Sequence, residues 1–83
     1  MEQKIRRDRN MGDNLRRLRK NAHLSQEKIC VELQRRGCDI GRSTYEKYES
    51  GELNIRASVI IELRKFYGCP YDEFFYGLDS EES

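Results

Sequence analysis

Apolar residues recur every three or four positions in successive short segments of this chain, and glycines separate most of those segments. Leu15 and Leu18 show this spacing early in the sequence, and Val59 and Leu63 show it late. Such spacing places apolar side chains on one face of a helix, whereas a half-buried strand needs apolar and polar residues in alternation. The sequence therefore predicts an all-α fold whose helices bury their apolar faces together.

The helix-ending residues between the segments predict five helices, which we expect to form a compact bundle. Gly37, Gly51 and Gly68 each follow an apolar segment, as glycine commonly does at the end of a helix. Pro70 suits the first turn of the last helix. With 83 residues, the chain has room for one small core. The predicted helices cover approximately residues 11–22, 26–36, 42–50, 56–67 and 71–76.

Charge is distributed unevenly, although the net charge is only +1. Residues 1–20 contain eight basic and three acidic residues, whereas residues 51–83 contain three basic and seven acidic residues. We predict a basic, flexible arm over 1–10, a folded domain over 11–77 and an acidic, disordered tail over 78–83. No apolar run has the length of a membrane span or signal peptide, so we expect no membrane association and a cytoplasmic location.

The residues that carry metal or enzyme chemistry are sparse. The three cysteines include no Cys-x-x-Cys pair, and His23 is the only histidine. We expect no metal site and no cofactor, with Cys30 and Cys69 as small core residues and Cys38 as a free thiol in a turn. The sequence also has no glycine-rich phosphate loop followed by lysine and no evident pairing of a nucleophile with a base, so we expect no enzyme.

The segment from Leu24 to Gly51 contains two predicted helices joined by a turn. Ser25 is a good N-cap for the second helix. The third helix offers polar side chains on its exposed face, and an α-helix of this kind fits the major groove of DNA. These side chains belong to Arg42, Ser43, Glu46 and Lys47.

At these residues the chain resembles the Cro/repressor helix-turn-helix family, also called XRE-type regulators. The motifs that carry the resemblance are NLRRLRKNAHLSQEKIC at 14–30, RSTYEKYESG at 42–51 and VIIELRKFYGCPYDEFF at 59–75. The resemblance implies a lambda-repressor-like fold, in which helices two and three form the helix-turn-helix. It implies a DNA-binding transcriptional regulator, with repression as the expected activity.

The resemblance also implies roles for individual residues. Ser25 and Gln26 match positions that contact the phosphate backbone and support the recognition helix. Arg42, Ser43 and Lys47 match base-reading positions. Thr44 is a candidate phosphate contact or secondary base contact, and Arg16 is a further candidate that could equally face solvent. Arg19 and Glu49 match an ion pair that locks the recognition helix to the scaffold.

Two features depart from the usual pattern of the family. The connection between Leu33 and Arg42 is about five residues longer than in members with a short turn, so the geometry of residues 34–41 is the weakest part of the prediction. The loop after Gly51 often carries phosphate-binding basic residues, but here only Arg56 is nearby.

We expect a homodimer on a palindromic operator, because a single recognition helix buries little surface. Phe75 and Tyr76 are the candidate dimer contacts. The alternative is an antitoxin-like or anti-repressor module that uses the same scaffold to bind a protein, which the low net charge and the acidic C-terminal part would suit.

Overall fold

The computed structural model describes residues 2–77, and it describes side chains for residues 11–77. Over this range the chain forms four α-helices, one short 3-10 helix and no strand, which confirms the all-α class. The α-helices are α1 (Glu2–Asn21), α2 (Gln26–Arg35), α3 (Arg42–Ser50) and α4 (Ala57–Tyr67), and the 3-10 helix covers Tyr71–Glu73.

The ends of α2 follow the signals in the sequence. Ser25 is the N-cap, and its hydroxyl accepts a hydrogen bond from the amide of Lys28 at 3.1 Å. At the other end, Gly37 adopts a φ of 93°, a left-handed conformation that glycine tolerates without steric cost. The amide of Cys38 then donates to the carbonyl of Leu33 at 2.9 Å, which completes a Schellman motif.

The connection between α2 and α3 is folded against the core. Ile40 is buried, and its carbonyl accepts a hydrogen bond from the side-chain amide of Gln34 at 2.9 Å. This bond and the Schellman motif give the connection a defined path into α3, whose first residue is Arg42. The extra residues therefore contribute to the core while they join the two helices.

A single apolar core lies between the helices. Tyr45, Val59 and Phe74 are among its fully buried members. The buried apolar residues are Leu15, Leu18, Ile29, Cys30, Leu33, Cys38, Ile40, Tyr45, Tyr48, Val59, Leu63 and Phe74. Ala22, the last residue of the predicted first helix, is exposed and follows the end of α1 at Asn21.

The cysteines differ in part from the prediction. Cys30 is buried as expected, whereas Cys38 is buried in the connection and Cys69 is only half-buried. The thiol of Cys38 lies 3.8 Å from the carbonyl oxygen of Ser58, so the turn is packed against the start of α4. All three cysteines are free thiols, and burial raises the pKa of each.

The predicted fifth helix is wrong, and so is the count of five helices, because the described part of the chain holds four α-helices. After the 3-10 helix, residues 74–77 form a turn. The side-chain amide of Asn14 donates to the carbonyls of Phe74 and Tyr76, each at 2.9 Å. These long-range bonds replace helical ones and fix the C-terminal turn to α1.

The first helix begins at Glu2, earlier than the predicted start at Met11. The side chains of residues 1–10 and the whole of residues 78–83 lie outside the described part, so the predicted arm and tail stay predictions. In the part of the chain that is described, no helix has the length and apolar character needed to cross a bilayer.

Helices α1 and α3 approach each other closely at Gly12. A β-carbon built on Gly12 would overlap the carbonyl oxygen of Glu49 and lie 2.8 Å from that of Tyr48. Both contacts are to backbone atoms, which cannot rotate aside as a side chain can. The absence of a side chain at position 12 therefore sets how near the two helices lie.

We predict that Gly12→Ala destabilises the protein, although alanine is favoured over glycine by about 1 kcal/mol at an ordinary helical position. The added methyl group must push α1 away from α3, and overpacking of this kind costs about 1–3 kcal/mol. Urea denaturation followed by far-UV circular dichroism measures the change in the free energy of unfolding.

Gly41→Ala serves as the control, because a β-carbon at Gly41 would meet no atom within 4 Å. Its free energy of unfolding should change less than that of Gly12→Ala. Equal stability of Gly12→Ala and the wild-type protein would contradict the close approach of α1 and α3.

Candidate nucleic-acid interface

The carboxylate of Glu49 lies buried at the junction of α1, α2 and α3. Arg19 of α1 donates to it twice, from Nε to Oε2 at 2.7 Å and from Nη2 to Oε1 at 3.1 Å. The third nitrogen, Nη1, donates to the carbonyl of Leu24 in the connector at 2.9 Å. Arg19 therefore joins the end of α1, the start of the helix pair and the last turn of α3.

Two further side chains that the sequence selected as DNA contacts converge on the same carboxylate. Gln26 of α2 donates from Nε2 to Oε1 of Glu49 at 3.0 Å. Arg16 is half-exposed, and its Nε lies 3.6 Å from the same oxygen. The junction thus brings Arg16 and Gln26 beside α3 and fixes part of their hydrogen-bonding capacity within the protein.

The junction sets the ionisation of Glu49. Burial by itself raises the pKa of this carboxyl group, but the hydrogen bonds from Arg19 and Gln26 and the charge of Arg19 lower it more, so that the pKa lies below its ordinary value. Glu49 is therefore ionised at neutral pH. The neighbouring hydroxyls of Tyr45 and Tyr67 remain protonated, because burial raises the pKa of both.

Helix α3 turns one face to the core and the other to solvent. Tyr45, Tyr48 and Glu49 are buried. The exposed side carries Arg42, Ser43, Glu46 and Lys47, and Thr44 is half-buried at its edge. We call these four exposed residues the reading face. Ser43 is available on this face, since the N-cap of α3 is Gly41 and the hydroxyl of Ser43 is not used as a cap.

The reading face has an internal ion pair. Nε of Arg42 donates to Oε2 of Glu46 at 3.0 Å, one helical turn along the same face. Both side chains remain largely exposed, at 61% for Arg42 and 48% for Glu46. The arginine predicted to read a base is therefore held by a residue that the sequence did not select as a site residue.

The remaining predicted contacts lie at the edges of this surface. Ser25 is exposed at the N-terminus of α2, next to Gln26; its oxygen accepts the capping bond, and its hydroxyl proton is left to donate. Arg56 is exposed and precedes α4 as its N-cap residue. Its charge acts on the thiol of Cys38, which places Arg56 near the connection between α2 and α3.

A second group of polar contacts, on the C-terminal turn, was missed from sequence. Arg17 of α1 donates from Nη1 to the carboxylate of Glu73 at 3.1 Å and from Nη2 to its carbonyl at 3.0 Å. The guanidinium also lies 5.7 Å from the ring centroid of Tyr76. Together with Asn14, these bonds tie residues 73–76 to α1. Their partners lie more than 50 residues apart, so local sequence patterns gave no signal.

Over the described residues, no three His, Cys, Asp or Glu side chains are grouped as metal ligands. What the surface offers is a set of hydrogen-bond donors, from Arg42, Ser43 and Lys47, together with the flanking hydroxyl of Ser25. Guanidinium, ammonium and hydroxyl groups are suited to the acceptor atoms of phosphates and base edges.

The chain matches a known protein family over most of its length. A family model described as helix-turn-helix matches residues 15–74, which is more than half of the chain. The match covers α2, the connection, α3 and α4 and reaches the C-terminal turn. No curated protein and no solved structure matches the chain.

We predict that Glu49→Gln destabilises the protein at neutral pH by about 3–5 kcal/mol, because it leaves the buried charge of Arg19 without its counter-charge. Urea denaturation at pH 7 measures this loss. Glu52→Gln is the control, since Glu52 is exposed and its loss should leave the free energy of unfolding nearly unchanged.

The same pair of variants gives a pH dependence. The pKa of Glu49 is lower in the folded protein than in the unfolded chain, so its stabilising effect is complete above the ordinary value of about 4.3 and is lost as pH falls through the folded pKa. The difference between wild type and Glu49→Gln should therefore shrink as pH falls below about 4. A difference that stays constant down to about pH 2 would contradict the ionised carboxylate.

Proposed function

The chain belongs to the XRE-type helix-turn-helix family of DNA-binding transcription regulators, and on that premise we propose that it is a sequence-specific repressor. Helix α3 enters the major groove of double-stranded DNA, and its reading face contacts the edges of the bases. The observation that carries the proposal is the anchoring of α3 through Glu49, which leaves Arg42, Ser43 and Lys47 exposed together on the opposite side. Helices presented in this way are how proteins of this class read base pairs.

Residues around the reading face supply the contacts to the DNA backbone. Ser25 and Gln26 lie at the N-terminus of α2, where free amide groups and the helix dipole favour a phosphate. Arg16 lies beside α3, Thr44 lies at the edge of the reading face, and Arg56 extends the basic surface toward the start of α4. Phosphate contacts fix the orientation of the protein, while the reading face distinguishes one sequence from another.

The protein binds as a homodimer to a palindromic operator. Tyr76 is 72% exposed and Phe75 is 44% exposed, and two adjacent exposed aromatic side chains suit a protein interface. Both lie on the C-terminal turn that Asn14 and Arg17 hold against α1. A rigid apolar segment suits a symmetric contact, and two reading faces then lie on half-sites about one helical turn, ~34–36 Å, apart.

The direct test of specific DNA binding is selection from a random pool of duplexes. We expect a palindromic sequence to be enriched. Its affinity should fall roughly 150- to 20,000-fold between about 50 and 200 mM salt, if each protomer of the dimer neutralises ~2–4 phosphates. Fluorescence anisotropy with the selected duplex measures the salt dependence.

A pool that yields no enriched sequence would contradict specific recognition and favour the protein-binding alternative. A flat salt response would contradict the phosphate contacts that we assign to Arg16 and Arg56, because cationic side chains release counterions from the DNA.

The dimer contact is tested by replacing Phe75 and Tyr76 together with serine. We expect the double variant to remain folded, since both side chains are exposed, and to sediment as a monomer where the wild-type protein sediments as a dimer. Val31→Ser is the matched control, because Val31 is 52% exposed but lies on α2. An unchanged dimer in the double variant would exclude this segment as the interface.

A further inference from the structure

The ion pair between Arg42 and Glu46 lies on the reading face, where it has little to do with folding. Both side chains are largely exposed, and an isolated pair at such a position adds little to the stability of a protein. Its partners do not contact the buried junction at Glu49 through any hydrogen bond or ion pair of their own. We therefore expect the ion pair to affect binding of a partner at the exposed side of α3 rather than the stability of the fold.

The ion pair leaves the two terminal nitrogens of Arg42 free to donate to another molecule. Arg42 donates to Glu46 from Nε, at 3.0 Å, and the guanidinium keeps four other N–H donors on its two terminal nitrogens. Two parallel N–H groups match O6 and N7 of guanine, the two acceptors that guanine presents in the major groove. A phosphate could accept the same donors, so the direction in which the guanidinium is held decides between the two.

We propose that Glu46 is a positioning residue that holds Arg42 for a guanine and thereby sets the base preference at one position of the operator. This inference rests on the proposed function, since it requires α3 in the major groove. Glu46 acts through Arg42: it orders the long side chain before binding, so that less conformational freedom is lost when the base contact forms.

The charge of Glu46 has a second consequence for specificity. The carboxylate offsets the positive charge of Arg42 on the reading face and repels phosphate oxygens, which weakens binding to DNA of arbitrary sequence. A guanine edge still gains the two hydrogen bonds. Glu46 therefore lowers non-specific affinity and raises the preference for guanine, and these two effects should be lost together in a variant without the carboxylate.

The test compares wild type, Arg42→Ala, Glu46→Ala and the double variant on the duplex selected by the wild-type protein. Each is also measured on duplexes in which one base pair is changed at a time. We expect one guanine whose replacement weakens wild-type binding by roughly ten-fold or more, the range of a bidentate base contact. Arg42→Ala should abolish that preference, and Glu46→Ala should reduce it by roughly two- to ten-fold, the cost of ordering one long side chain.

Two further readouts distinguish positioning from a general structural effect. The double variant and Arg42→Ala should show the same base preference at this position, because Glu46 acts there only through Arg42. Glu46→Ala should also bind an unrelated duplex more tightly than wild type and keep its preferences at the other base pairs. Glu52→Ala removes the same charge from an exposed site after α3 and should keep the guanine preference.

The outcomes separate this inference from the proposed function. Retention of the full guanine preference by Glu46→Ala would overturn the positioning role and leave specific DNA binding intact. A uniform loss of preference at every position, or a base other than guanine at the position that depends on Arg42, would also overturn it. If the wild-type protein prefers no sequence at all, both the inference and the proposed function fail.

Discussion

The buried carboxylate of Glu49 is the interaction on which the arrangement of the helices depends. A charge in the interior is costly unless it is neutralised and hydrogen-bonded, and Arg19 and Gln26 meet both needs from two different helices. The carboxylate can be satisfied only if α1, α2 and α3 take one mutual arrangement. An apolar core alone tolerates several helix arrangements of similar energy. The directional hydrogen bonds of the junction select one of them.

The backbone at the same place enforces the same arrangement. Gly12 lets α1 approach the carbonyl of Glu49, whose side chain is at the centre of the junction. A close backbone contact and a directional ion pair thus act on one residue from two sides. The last turn of α3 is fixed, and the opposite face of the helix is presented to solvent in a defined orientation.

This arrangement explains how a chain with a net charge of only +1 suits a DNA-binding family. Binding requires positive and hydrogen-bonding groups on one surface, and it does not require a basic protein as a whole. The charge of Glu49 is neutralised by Arg19 inside the junction, while Glu46 pairs with Arg42 on the reading face. The acidic residues of α3 therefore organise the cationic ones.

Much of the fold could be predicted from sequence, because it depends on local signals. Ser25 and Gly37 mark the ends of α2, and the buried face of α3 follows from the spacing of Tyr45 and Tyr48. The Arg19 and Glu49 side chains are in contact at the positions that the family resemblance paired.

Contacts between distant segments could not be predicted in this way. The close approach at Gly12 and the bonds from Asn14 to the C-terminal turn depend on residues far apart in the chain, so no periodicity shows them. The missing fifth helix has the same origin, because Asn14 binds the carbonyls of that segment. The sequence predicts only a turn at Cys38, because the burial of its thiol depends on where α4 packs.

We propose that the reading face of α3, a helix held in place by Glu49, is the surface that binds DNA. The most direct measurement is a titration of the ¹⁵N-labelled protein with its selected duplex, followed by amide chemical shifts. We expect the largest changes at residues 25–26 and 42–47 and small changes at 71–77. Changes concentrated at 71–77, with residues 42–47 unaffected, would contradict the proposal.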